Sequence, residues 1–181
     1  SSGSGITGLE KLSPIKKQIL SNKIDELQES FDIIFIDTGA GIGSNVLHLN
    51  KIAHERIIIT TSEPHAVTDS YALIKILSEE YQIENLNLMI NMVKSPQEGM
   101  NLAQKLGDIC DQYLNKSINY IGSIPSDPNV SKQILRQKVN SPNRTKTISG
   151  QAWDNITKKM IHSISPSNLK QKDLFQELFY C

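Results

Sequence analysis

The chain has 181 residues, of which 38% are hydrophobic and 21% charged; this is the composition of a globular domain with enough apolar mass for a core, not of a disordered segment. Lys+Arg and Asp+Glu both number 19, and no basic cluster breaks that balance, so a nucleic-acid partner is not expected. Cys110 and Cys181 have no metal-ligand spacing, and the sequence shows neither a basic-then-apolar leader nor an apolar run of about 18 residues, which together predict a reducing, cytoplasmic setting.

In chain order, SSGSG at the start is loop-forming and reads either as an appended segment or as native loop. Ser13-Pro14 supplies an N-cap and a first-turn proline, after which Ile15, Ile19, Ile24 and Leu27 recur at helical spacing up to Ser30. Residues 32 to 37 form the first short run rich in Ile and Phe and read as a buried strand. A glycine-rich turn follows, then Val46, Leu47, Leu49, Ile52 and Ala53 suit a short helix. Further apolar runs at 56 to 61, 86 to 93 and 118 to 123 predict three more strands. Helices are expected from His65 to Tyr81, from Met100 to Leu114, from Val130 to Gln137, and around Ile148 to Ile161. Val130 is expected in the core, and Lys138 to Lys146 reads as a loop. The last residues place Leu174, Phe175, Leu178 and Phe179 on one face, as a short amphipathic helix would.

Strictly alternating apolar strands and helices predict an α/β fold, a mostly parallel sheet with helices on both faces and ligands at the carboxyl ends of its strands. Asp37, the segment from Thr60 to Pro64, Asn91, and Pro125 to Asp127 all fall at such ends. The stretch DIIFIDTGAGIG (residues 32 to 43) carries the most chemistry. An aspartate at a strand end, followed by glycines whose N–H groups can face an anion, suits a cation and a phosphate. A G-x-x-x-x-G-K-[ST] loop is absent from the 181 residues, so the lysine that usually accompanies such an element is not supplied here. The four histidines show no metal-ligand spacing and no matched nucleophile.

These strand ends resemble the MinD/ParA class of P-loop ATPases (the SIMIBI-type NTPases), most closely its FlhG (FleN, YlxH) branch of flagellar-number regulators. FDIIFIDTGAGIG looks like that family's switch II, and RIIITTSEPHAVTDSYALIKIL like its strand-turn-helix. NLMINMV ends near the asparagine used beside adenine, and GSIPSDPNV looks like the base-binding loop, followed by Ser131 and Arg136-Gln137. SSGSGITGLEKLS is similar to the family's loop and helix before switch II. The resemblance implies that Asp37 holds Mg²⁺ through a water and that Gly41 donates its N–H to the terminal phosphate of ATP or ADP. Asn91, Pro125, Ser126 and Asp127 would then contact the nucleotide base. Glu63 and Asp69 would lie on a homodimer face.

The family's amino-terminal segment, with its central first strand and lysine-containing phosphate loop, has no counterpart in this sequence. That implies an incomplete domain (residues 1–164), unpaired strand edges, and no ATPase activity for the isolated chain. A truncated product and a strand supplied by another polypeptide or another pairing stay open. Residues 165–181 form the amphipathic tail, which the resemblance makes a candidate for reversible contact with the inner face of the cell membrane; docking on the domain's own groove is the competing expectation. The partners it implies are the FlhF GTPase or flagellar switch components. A non-enzymatic interaction module and a chromosome- or plasmid-partition relative are the alternative readings.

Overall fold

The computed structural model describes residues 33–135 and 147–163, with scattered positions between Ser13 and Phe31. The glycine-serine start, the loop from Lys138 to Lys146, Arg136-Gln137, Cys181 and the carboxyl-terminal tail lie outside the described residues. The chain divides into two compact units, Ser1–Ala53 with Gln171–Cys181, and His54–Lys170.

In the first unit Ile15, Ile19, Asn22, Lys23, Glu26, Leu27 and Ser30 are helical, as their spacing predicts. Lys23 meets Glu26 at 2.7 Å, and the Phe31 N–H donates to Leu27 O at 3.0 Å. Helix α1 (Ser44–Ile52) follows the glycine turn and buries Val46. The strand expected over 32 to 37 is not formed. Ile33, Ile34, Phe35 and Ile36 carry no strand pairing and are 46%, 41%, 80% and 46% exposed. An apolar run becomes a strand only when a neighbour supplies backbone partners, and among the described residues none does so.

The second unit holds a parallel sheet in the order β1 (Ile57–Thr60), β2 (Asn87–Val93), β3 (Asn119–Pro125). β2 is central and buries Leu88, Met89, Ile90 and Val93, as expected where both edges are paired and both faces covered. β1 pairs with β2 alone among the described residues, and its Ile59 is 54% exposed. At the amino ends of the strands a side-chain relay runs across the sheet. Asn119 donates its amide to Asn87 Oδ1 (2.7 Å), and Asn87 donates to Glu55 Oε2 (2.9 Å).

Helix α2 (Pro64–Glu79) opens on a proline and turns Ile74 and Leu77 inward. Helix α3 (Pro96–Leu114) has a fuller start: Ser95 Oγ accepts the Glu98 N–H (3.2 Å), and Glu98 reaches back to the Lys94 N–H (2.7 Å). Its buried stripe is Gly99, Ala103, Leu106 and Cys110, one face at helical period. Burial pushes the Cys110 thiol up to about 11, so it stays protonated at neutral pH and behaves as a small core side chain. After α4 (Pro128–Leu135), helix α5 (Ile148–Ser163) lies against β3 and brings Ile156 to Met89, Ile121 and Ile124, with Ala152 and Met160 alongside. α3 approaches β3 at Ser123 and α5 approaches it at the adjacent Gly122. Successive strand residues face opposite ways, so the two helices cover opposite faces, which is the α/β layering that the alternation predicts.

Candidate functional site

In the first unit the glycine-rich turn after Ile36 is shaped by two left-handed residues, Gly39 (φ 71°) and Gly41 (φ 95°). Side chains other than glycine resist this conformation, so the turn carries bare, approachable backbone at both positions. Asp37 Oδ1 accepts the Gly39 N–H at 3.4 Å, and Thr38 Oγ1 donates to Gly39 O at 3.3 Å. The aspartate thus curls over the turn with its other oxygen uncommitted by any described contact, and it is exposed. An exposed hard carboxylate beside open glycine backbone fits a water-shelled divalent cation with phosphate oxygens.

In the second unit the structure brings together Asn91, Pro125, Ser126 and Asp127, at the carboxyl ends of β2 and β3. Val93 pairs with Pro125, and the Ser126 N–H donates to Val93 O at 2.9 Å. This bond carries the ladder one residue past β3 and holds the IPSD turn beside the end of β2. Between Ile90 and Val93 the register shifts, which leaves Asn91 and Met92 as a bulge. Asn91 is half-buried, and its Oδ1 accepts the Met92 N–H at 2.9 Å.

Asp127 is a structural junction as well as a candidate base contact. Its Oδ1 accepts the Asn129 N–H (2.9 Å) at the start of α4, and its Oδ2 accepts the Ser149 hydroxyl (2.8 Å) at the start of α5. Thr147 caps α5 in turn, accepting the Gly150 N–H at 3.0 Å. One carboxylate therefore ties two helix starts to the strand end. Ser149 and Thr147 are the residues that sequence reasoning misses, because Ser149 is 22 positions from Asp127 and carries no local motif. Val130, expected in the core, is 41% exposed; as the third residue of α4 it has already left the strand end.

The Ser149 hydroxyl, then the Asn129 N–H, hold the Asp127 carboxyl below its ordinary value of 3.8. A depressed folded-state value means that the contribution to stability is complete above the unfolded value and is lost as pH falls through the folded one. Asp127→Ala is expected to cost about 1–2 kcal/mol at neutral pH, and to remove that part of the acid destabilisation seen below pH ~4. Urea titrations at pH 7 and below 4 check both, and an unchanged midpoint at pH 7 would contradict the junction.

Glu63 stands at the N-cap position of α2 without capping it, and its Oε2 lies 3.2 Å from His65 Nε2. Glu63 and Asp69 are exposed. No described helix is long and apolar enough to cross a membrane.

No family model matches the sequence. The chain is similar to the antiactivator FleN of Pseudomonas aeruginosa, 35% identical over 135 residues that cover 75% of this chain and 48% of FleN. It is 28% identical over 170 residues to the flagellum site-determining protein YlxH of Helicobacter pylori, covering 92% of this chain and 57% of YlxH. The septum site-determining protein MinD of Bacillus subtilis is 32% identical over 118 residues, 62% of this chain and 41% of MinD. The chain thus spans about half the length of the curated relatives it matches. The parallel sheet and the strand-end motifs in their order agree with this likeness, and the chain's homologues are FleN, YlxH and MinD proteins, of the MinD/ParA class.

Proposed function

We propose that this chain is the carboxyl-terminal portion of an FlhG-like regulator of flagellar number and placement whose complete form binds and hydrolyses ATP with Mg²⁺. The single observation that supports it most is the gathering of Asn91, Pro125, Ser126 and Asp127 at adjoining strand ends, where open parallel sheets bind ligands. Asn91 and the IPSD turn would hold the base of ATP or ADP, and Gly41 would donate backbone N–H to the terminal phosphate. Asp37 would hold Mg²⁺ through a water. When bound, the ion neutralises charge that develops on the phosphate oxygens.

The complete protein would dimerise on a face that includes Glu63 and Asp69 and engage flagellar partners such as the FlhF GTPase or switch components. It would work in the cytoplasm, with the tail giving reversible contact at the membrane. The 181 residues contain no phosphate-loop lysine, and that cation supplies much of the transition-state charge compensation. The isolated chain is therefore expected to show no ATP turnover, and turnover that disappears in Asp37→Ala would overturn this.

The alternative reading is a non-enzymatic interaction module built on the strand-end loops. Calorimetric titration of the native protein with ATP and Mg²⁺ separates the two. Saturable binding weakened about tenfold or more by Asn91→Ala supports the nucleotide reading, whereas no binding heat at millimolar ATP leaves the module.

A further inference from the structure

Three described non-glycine residues adopt left-handed backbone: Gln82 (φ 54°), Met92 (φ 58°) and Asn115 (φ 51°). Two of them end helices. Beside Gln82 the Ile83 N–H donates to Leu77 O (3.0 Å), and beside Asn115 the Lys116 N–H donates to Cys110 O (3.3 Å), the six-to-one closure that left-handed residues make at helix ends. Met92 has no helix to end. It lies within β2, at the bulge between Ile90 and Val93, and its side chain is 61% exposed.

The consequence falls on its neighbour. Because Met92 turns left-handed, its N–H meets Asn91 Oδ1 at 2.9 Å instead of entering the ladder, which resumes at Val93 O and the Ser126 N–H. An amide whose oxygen is held has its NH₂ on the far side. Asn91 is thereby fixed as a donor, complementary to an acceptor such as an unprotonated purine ring nitrogen. Bulges next to binding sites re-aim side chains in this way, and strained backbone gathers where such aiming is needed.

We propose that Met92 is a positioning residue for base recognition: its left-handed bulge holds the Asn91 amide with the NH₂ presented to a ring-nitrogen acceptor of the nucleobase. This rests on the nucleotide reading of the site. Met92 acts through its backbone, so a replacement that tolerates the left-handed region preserves the effect and a β-branched one destroys it.

The test compares Met92→Gly, Met92→Asn and Met92→Val in the native protein by titration with MgATP and, separately, with inorganic tripolyphosphate, which has no base. Circular dichroism verifies that each variant is folded. Met92→Gly and Met92→Asn are expected to bind ATP within about twofold of wild type, while Met92→Val loses about tenfold, the worth of one well-placed hydrogen bond. Tripolyphosphate affinity is expected to be unchanged throughout, a pattern that general destabilisation would not produce. Wild-type ATP affinity in a folded Met92→Val, or equal losses in all three variants, would overturn the positioning role while leaving the nucleotide reading intact. Absence of ATP binding by the wild type would overturn both.

Discussion

Ile90→Ala is expected to cost about 2–5 kcal/mol of stability, the range for truncating a fully enclosed aliphatic side chain. Ile90 has 0% exposure and sits in β2, the strand paired on both edges, so the surroundings are held by two ladders and collapse little around the void. Its neighbour across the β1 ladder is Thr60, and across the β3 ladder Ser123, and neither side chain can extend to fill the space. Urea unfolding followed by circular dichroism measures the loss. A change under about 1 kcal/mol would mean that the site relaxes, contrary to the close packing that the burial implies.

Gly99→Val is the second large effect, expected to cost about 2–3 kcal/mol through overpacking. A Cβ at this position would stand 2.6 Å from Ser123 Cβ and 2.7 Å from its Oγ, with Tyr120 Oη at 3.1 Å. The obstructing Cβ is anchored to the backbone of β3, so relief requires α3 to move off the sheet. Gly107, in the same helix, provides the control: a Cβ there meets nothing within 4 Å, and Gly107→Ala should stabilise by about 0.5–1 kcal/mol from helix propensity alone. Opposite signs in one thermal-melting series support close helix–strand contact at Gly99. A neutral Gly99→Val would contradict it.

Sequence reasoning reads local regularities well and long-range ones poorly, and particular residues show why. β1 and β2 were legible because buried parallel strands are rich in Ile, Leu, Met and Val, and β3 from Ile118 and Ile121 within a more polar run. Ile33–Ile36 have the same composition and yet form no strand, since pairing depends on a partner that composition cannot supply. Asn91 is legible as a polar residue at a strand end. The bulge that fixes its amide is not, because nothing in a methionine announces positive φ. Asp127 reads as a helix cap from IPSDP, but its bond to Ser149 is a tertiary contact invisible to spacing. Gly99 carries the same lesson: its need for a bare Cα comes from β3, more than twenty positions away in sequence.

The proposed function rests on the carboxylate of Asp37 serving a cation beside a nucleotide's phosphates. The direct measurement is titration of the native protein with ATP, with and without Mg²⁺, in wild type and Asp37→Ala. Mg²⁺ is expected to tighten ATP binding in the wild type, and this tightening to be lost in Asp37→Ala with the metal-free affinity retained. Equal enhancement by Mg²⁺ in both proteins would contradict it.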